Sequence, residues 1–145
     1  MSNNVSYESN LKEVKRALSE AQDSILKAIG EYVRSEAFRR APTAKVAGGN
    51  LKNSIKYQIN PKAKYVEIGT RVPYSVYVEV GTGVYSSKGT GRKTSWRYKT
   101  KDGNWVTTIG NKPQPFLEPA VMQNISNIRK IAEEEIRVEM NKGGD

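Results

Sequence analysis

Residues 55–68, Ile55-Lys56-Tyr57-Gln58-Ile59-Asn60-Pro61-Lys62-Ala63-Lys64-Tyr65-Val66-Glu67-Ile68, decide the fold class. Ile55, Tyr57 and Ile59 alternate with Lys56 and Gln58, the period of a strand with one buried face. Asn60-Pro61-Lys62 is turn chemistry, and Tyr65 to Ile68 reads as the returning strand. A hairpin must bury its apolar face against something, and the sequence on both sides supplies helices.

Upstream, Leu11, Val14, Leu18, Ala21, Ile25, Ala28 and Tyr32 recur at spacings of three and four, one stripe of a long amphipathic helix. Asn10 is placed to cap its start, with Glu13 three residues on. Glu8/Lys12, Asp23/Lys27 and Glu36/Arg40 are i,i+4 pairs with the acid first. Gly30 weakens the helix interior and Pro42 closes it. Alanine at two stripe positions favours a face that packs on a sheet over a coiled-coil seam. Residues 41–50, ending Ala47-Gly48-Gly49-Asn50, read as a loop.

Downstream, Val72 to Val80 is ambiguous. Tyr74, Val76, Val78 and Val80 alternate like a strand, whereas Tyr74, Tyr77 and Val78 share a helical face, and Pro73 suits the first position of a helix. From Gly81 to Pro115 the composition turns to Gly, Ser, Thr, Lys and Arg. Within it, Trp96-Arg97-Tyr98-Lys99 and Trp105-Val106-Thr107 flank Lys101-Asp102-Gly103-Asn104, a β-hairpin around an Asp-Gly turn. The rest of this stretch is expected to be mobile in the isolated protein. Beyond Pro115, Val121, Ile125, Ile128, Ala132 and Ile136 have helical spacing to about Met140, and Lys142-Gly143-Gly144-Asp145 reads as a frayed end. The fold class is therefore α+β: a long N-terminal and a C-terminal helix packed on a small antiparallel sheet. Residues 1–145 form one domain, with 84–114 as an insert within it.

The 145 residues are enough for one core. Leu, Ile, Val and Phe make up only about 21% of them, just above the level of disordered chains. The core should be thin and lean on neighbours for burial. Cysteine and histidine are both absent, which removes disulfides, thiol nucleophiles, Cys/His zinc sites and histidine-based triads. No apolar run exceeds three residues, so no membrane-spanning helix is expected. The first residues lack a signal-peptide layout, so synthesis and folding are expected in a cytoplasm.

Net charge is +9, and residues 41–115 carry +10 of it, against +1 before them and −2 after. Such a field attracts polyanions. The charged middle holds three acids, Glu67, Glu79 and Asp102. Asp102 belongs to the hairpin turn, and a Glu67/Glu79 acid–base pair is less economical than two solvated or ion-paired glutamates. Gly81-Thr82-Gly83 and Gly89-Thr90-Gly91-Arg92-Lys93 lack phosphate-loop spacing and read as flexible turns. No catalytic, cofactor or metal site emerges.

The hairpin interleaves Arg92, Lys93, Arg97, Lys99 and Lys101 with Trp96, Tyr98 and Trp105. Three readings stand. Its tryptophans can pair across the strands and pack on a neighbour. It can capture single-stranded nucleic acid by stacking and phosphate contact. It can also line a channel and touch only the phosphates of a passing duplex. A small basic nucleic-acid-binding protein is the alternative functional reading.

Four motifs follow in order: Gly49-Asn50-Leu51-Lys52-Asn53-Ser54-Ile55, Val66-Glu67-Ile68-Gly69-Thr70, Val72-Pro73-Tyr74-Ser75-Val76-Tyr77-Val78-Glu79-Val80-Gly81-Thr82-Gly83, and Gln114-Pro115-Phe116-Leu117-Glu118-Pro119-Ala120. Over roughly residues 8 to 140 the series resembles the phage tail-completion family, also called head–tail joining or neck proteins. The resemblance implies a virion protein made in the bacterial cytoplasm that forms a ring, of six copies, at the head-proximal end of the tail. Its implied partners are other copies of itself, the tail tube or tail terminator, the head connector or head-closure proteins, and passing DNA, with no membrane and no cofactor.

The resemblance also implies a short helix for Pro73 to Val80, ended by a left-handed glycine at Gly81. Tyr74, Tyr77 and Val78 would fix that helix against the sheet, and Phe116 and Leu117, set by Pro115, would pin the last helix. Glu79 would satisfy backbone donors at the neighbouring turn or pair with a basic residue of an adjacent subunit. The insert would be an arm toward a subunit, the connector or the DNA channel, ordering on docking.

Overall fold

The computed structural model describes residues 2–43 and 50–142, with side chains from residue 12 onward. The fold is α+β, with α1 (Ser2–Arg40), α2 (Asn50–Ser54), β1 (Lys56–Asn60), β2 (Tyr65–Gly69), α3 (Ser75–Val80), β3 (Trp96–Lys99), β4 (Trp105–Thr108), α4 (Glu118–Met122) and α5 (Ile125–Lys142). The strands form two separate antiparallel hairpins, β1–β2 and β3–β4. The chain divides into two compact units. One takes the chain up to Ser35, Lys56–Ile68 and the residues from Val121 on; the other takes Glu36–Ile55 and Gly69–Ala120.

In the first unit, α1 supplies the long scaffold. It starts at Ser2, not after Asn10, because no glycine or proline between them stops propagation once the helix is nucleated. The side chains of Glu8, Asn10 and Leu11, residues 44–49 of the loop expected at 41–50, and residues 143–145 of the frayed end expected at 142–145 lie outside the described residues, while Asn50 and Lys142 are helical. Of the expected ion pairs, Glu36/Arg40 forms, joined by Arg39 Nη2 at 2.8 Å from the Glu36 carboxylate. Hydrogen bonds from Arg39 and then Arg40 hold the Glu36 carboxyl down to about 2. Asp23 and Lys27 form no such pair; Arg16 and Glu20 approach to 4.0 Å instead.

The expected stripe on α1 is buried only in part. Val14 and Leu18 are exposed, and Ala21 is buried. The inward row continues at Gly30 and Val33 in this unit, and at Ala37 and Ala41 beyond its end at Ser35. A Cβ on Gly30 would lie 2.6 Å from Tyr57 Cδ2 and 3.0 Å from Val66 Cγ2, so the glycine is where β1–β2 meets the helix. The hairpin itself closes through Lys64 N–H to the Asn60 carbonyl (2.8 Å) and Ala63 N–H to Asn60 Oδ1 (2.9 Å). Tyr57, Ile59, Val66 and Ile68 form its half-buried face, as the alternation requires.

Gly30→Ala follows as a test of that contact. Alanine gains about 1 kcal/mol of helix propensity over glycine. Overpacking against a ring root costs about 1–3 kcal/mol. A net loss of about 1 kcal/mol, a fall in Tm of a few degrees, is therefore expected in thermal unfolding; a rise in Tm would mean the contact is loose.

The C-terminal helix is broken, contrary to the single run expected. α4 ends at Met122, and α5 restarts after Asn124, which is 7% exposed. Tyr32 Oη donates to Asn124 Oδ1 at 2.8 Å and accepts from Asn127 Nδ2 at 3.0 Å. Asn124 thus prefers a helix-start position where its side chain serves α1, which the local apolar spacing could not reveal. Ser24 Oγ adds a bond to the buried Glu139 at 3.3 Å. The inward row of α5 accordingly includes Ile128, Ile131, Ala132 and Glu139, while Ile125 and Ile136 of the expected stripe are exposed.

The second unit holds most of the large buried apolar side chains: Leu51, Ile55 and Phe116, with Ala37, Ala41 and Ala120. α2 was not legible in the sequence as a helix; Ser54 Oγ binds the Leu51 carbonyl at 2.7 Å and Thr70 Oγ1 at 2.5 Å, tying it to the end of β2.

Candidate functional site

α3 resolves the ambiguity of 72–80 in favour of a helix. Pro73 stands before it rather than at its first position: Ser75 N–H bonds the Val72 carbonyl at 3.1 Å, so Pro73 is the second residue of a turn, where its fixed φ fits. Ser75 is buried, and Tyr74, Val76 and Tyr77 are 44%, 58% and 62% exposed. At 100° per residue these three share the outer face. Tyr74 and Tyr77 therefore do not anchor the helix inward, as expected of them. They display apolar surface.

Glu79 ties α3 to the segment 116–118. Its Oε2 accepts N–H groups from Phe116 (2.8 Å) and Leu117 (3.0 Å), and its Oε1 accepts from Glu118 (2.9 Å). Of the two roles expected, it takes the satisfaction of backbone donors, but at the start of α4 rather than at the adjacent turn. The segment reaches it along α3, where Gln114 N–H bonds the Val78 carbonyl at 2.8 Å. Pro115 is exposed and has no N–H to satisfy, so the run of donors begins at Phe116. Phe116 is fully buried and Leu117 half-buried, which pins the segment as expected.

Gly81 ends α3, its N–H bonding the Tyr77 carbonyl, with φ 77° and ψ 176°. The positive φ matches expectation; the ψ is the extended glycine-only region rather than the left-handed helical one. Beyond it the chain makes one 3₁₀ turn, Gly83–Tyr85. Here two backbones cross. Thr82 N–H bonds the Asn111 carbonyl at 2.9 Å, Val84 N–H the Ile109 carbonyl at 3.0 Å, and Asn111 N–H the Thr82 hydroxyl at 2.8 Å. A Cβ on Gly83 would fall 2.0 Å from the Ile109 oxygen, and one on Gly110 2.1 Å from the Thr82 oxygen. The insert expected to be mobile thus has a stem whose two strands of chain are bonded to each other. Of the glycines read as flexible turn residues, Gly81, Gly83 and Gly91 are close-contact residues, and Gly89 stands in open space.

Beyond the stem, β3 and β4 pair in the register Trp96↔Thr108, Arg97↔Thr107, Tyr98↔Val106, Lys99↔Trp105. Thr100 N–H bonds the Asn104 carbonyl at 2.8 Å, and Gly103 takes φ 86°, a turn with a glycine bulge. The tryptophans do not pair across the strands: the register sets them at opposite ends and on opposite faces. Trp96 and Tyr98 share one face with Val106 and Thr108. Arg97, Lys99, Trp105 and Thr107 share the other, and all four are exposed. The Arg97 guanidinium lies 5.3 Å from the Trp105 ring centre, and that of Arg92 5.7 Å from Trp96. Lys93 and the turn residue Lys101 are exposed beside them. The hairpin thus gathers Arg97, Lys99 and Trp105 and places Trp96 with Arg92 apart from them.

Among the described residues, no helix is long and apolar enough to cross a membrane. A protein-family model matches residues 6–81, the HK97-gp10-like family, described as "Bacteriophage HK97-gp10, putative tail-component". The match runs from α1 to the glycine that ends α3, just over half the chain, and leaves out the Gln114–Ala120 motif that Glu79 holds. No curated protein and no solved structure matches the chain.

Proposed function

As the chain belongs to the HK97-gp10-like family of phage tail components, we propose that it is a structural protein of the neck, closing into a ring at the head–tail junction through which DNA passes. The role is assembly rather than catalysis. A ring arises when one surface patch meets a different patch of the next copy and the rotation closes. Its partners are then further copies, six in the reading adopted here, together with the tail end on one side and the head connector on the other. Its place is the neck of the virion.

The observation that carries this reading is the outer face of α3. Tyr74, the residue before the six-residue α3, and Val76 and Tyr77 on it are exposed on one face, and the helix is locked from behind by Glu79 and Gly81. Burying an exposed apolar side chain of this size yields about 1.5–3 kcal/mol. One copy gains little from such a patch alone, whereas a closed ring gains it at every joint. Elsewhere Val14 and Leu18 on α1, and Ile125, Ile136 and Met140 on α5, are also exposed and add apolar surface for neighbours.

Electron microscopy of particles from a host lacking this gene tests the role. Filled heads separated from tails, or tails with aberrant ends, are expected; normally joined particles would overturn it. Complementation with Val76→Asp/Tyr77→Asp tests the surface. These positions are exposed, so the variant should fold with an unchanged Tm yet leave heads and tails apart. Full restoration of joining would remove α3 from the interface.

A further inference from the structure

The insert 84–114 holds seven basic residues and one acid, Asp102. Among the described residues the ion pairs fall on α1 and α5, and none involves the insert. Three of its seven cations, Arg92, Arg97 and Lys112, instead lie over rings. Of the four aromatic side chains in the insert, Trp96 and Trp105 each carry an arginine and Tyr85 carries Lys112 at 5.9 Å, leaving Tyr98 alone without one. We propose that the Arg97–Lys99–Trp105 face of the hairpin, with Lys101 at its tip, binds the phosphate backbone of duplex DNA, and that the indole holds the arginine in place rather than stacking on bases.

Three features carry this. Arg97 and Lys99 are two residues apart on one strand, so their stems stand about 6.7 Å apart on one face. Neither side chain has a hydrogen-bonding or ion-pairing partner among the described residues, so the side-chain donors of both are open to a polyanion. The guanidinium over Trp105 covers a ring face that a base would use, and it is held where its fork can take a phosphate bidentately. A second copy of the chain is a poorer occupant. α5, the helix with the Glu133-Glu134-Glu135 run, carries as many Lys and Arg as Glu residues and so has no net negative charge. The inference does not rest on the ring, because one isolated chain has the whole surface.

Fluorescence anisotropy of the full chain with a labelled duplex, over about 50 to 200 mM salt, tests it. Three phosphate contacts predict a slope of log K against log salt near −2.7, at about −0.9 per contact. Arg97→Ala/Lys99→Ala should weaken binding at least about tenfold at the low-salt end and reduce the slope by about 1.8. Trp105→Ala should keep the slope and lower affinity about threefold or more, and Trp105→Phe should restore most of that loss. All are exposed positions, and an unchanged Tm confirms that the fold is kept. The only two tryptophans lie in the hairpin, so indole emission reports base stacking directly. Absence of duplex binding at the low-salt end, a slope unmoved by the double variant, or tighter single-strand binding with quenched indole emission would each overturn the proposal. So would competition by polyglutamate at equal charge concentration, which would assign the face to an acidic protein.

Discussion

Glu79→Ala is expected to lower stability by about 3 kcal/mol and Glu79→Gln by about 1–2 kcal/mol, the range for hydrogen bonds to charged groups and for donors left unmet. The carboxylate accepts three consecutive backbone N–H groups, from Phe116, Leu117 and Glu118. Those donors start a helix and have no partner within it. Alanine leaves the part-buried donors of Phe116 and Leu117 unmet beside the fully buried Phe116 ring, while that of Glu118 lies on the exposed side. Glutamine keeps one acceptor oxygen and turns an amide N–H₂ toward the remaining donors, so it retains part of the cap. Glu79→Asp keeps the charge but retreats by one methylene and should fall between. The expected readout is a Tm lower by about 10 °C for alanine, with the order Glu, Asp or Gln, Ala. Equal Tm values across the series would mean that Phe116 burial alone holds the segment.

The same residue shows what a sequence can and cannot disclose. Glu79 stands out among the apolar residues of α3 because packing gives it no role, and a donor-satisfying role follows from that. Its partners lie 37 to 39 residues away, and no local pattern points to them. The elements that were legible have local causes: the period-two run of β1, the Asn60-Pro61 turn, the Asp-Gly turn that registers β3 on β4, and the apolar spacing of α1. Those that were not legible depend on distant chain. Gly30 looks like a weak helix position until Tyr57 and Val66 are brought against it. Asn124 breaks the last helix because Tyr32 is there to bond it. The start of α1 at Ser2 has a different cause: a good cap residue at Asn10 does not prevent a helix from running through it.

The exposed face of α3 departs from what the family resemblance implies, which sets Tyr74 and Tyr77 against the sheet. Ser75 occupies the inner position instead, because Glu79 must turn toward Phe116 and the residues one turn before it turn with it. Apolar surface left outside in a chain this poor in core residues is better read as surface meant for a neighbour than as an ordinary exposed tyrosine.

Gly83→Ala is the second large effect, and its size can be separated into parts. A Cβ at Gly83 would lie 2.0 Å from the Ile109 oxygen, with the Ile109 carbonyl carbon at 2.8 Å and Gly110 Cα at 2.9 Å. All three are backbone atoms, which cannot swing aside as a side-chain tip can. The crossing must open, releasing the Val84–Ile109 and Thr82–Asn111 bonds at about 0.5–1.5 kcal/mol each. A further 1 kcal/mol or so comes from placing alanine at φ 61°. The sum is about 3 kcal/mol.

Gly89 provides the control: it has φ 69°, yet nothing lies within 4 Å of where its Cβ would be. Gly89→Ala should therefore show only the conformational part, about 1 kcal/mol, and the difference between the two variants measures the backbone crossing alone. Hydrogen exchange locates the loss: Val84 and Asn111 amides should lose protection in Gly83→Ala and keep it in Gly89→Ala. Equal destabilisation by the two variants would mean that the stem yields without cost, and the hairpin would then be a loose appendage rather than an arm held at a fixed angle by its base.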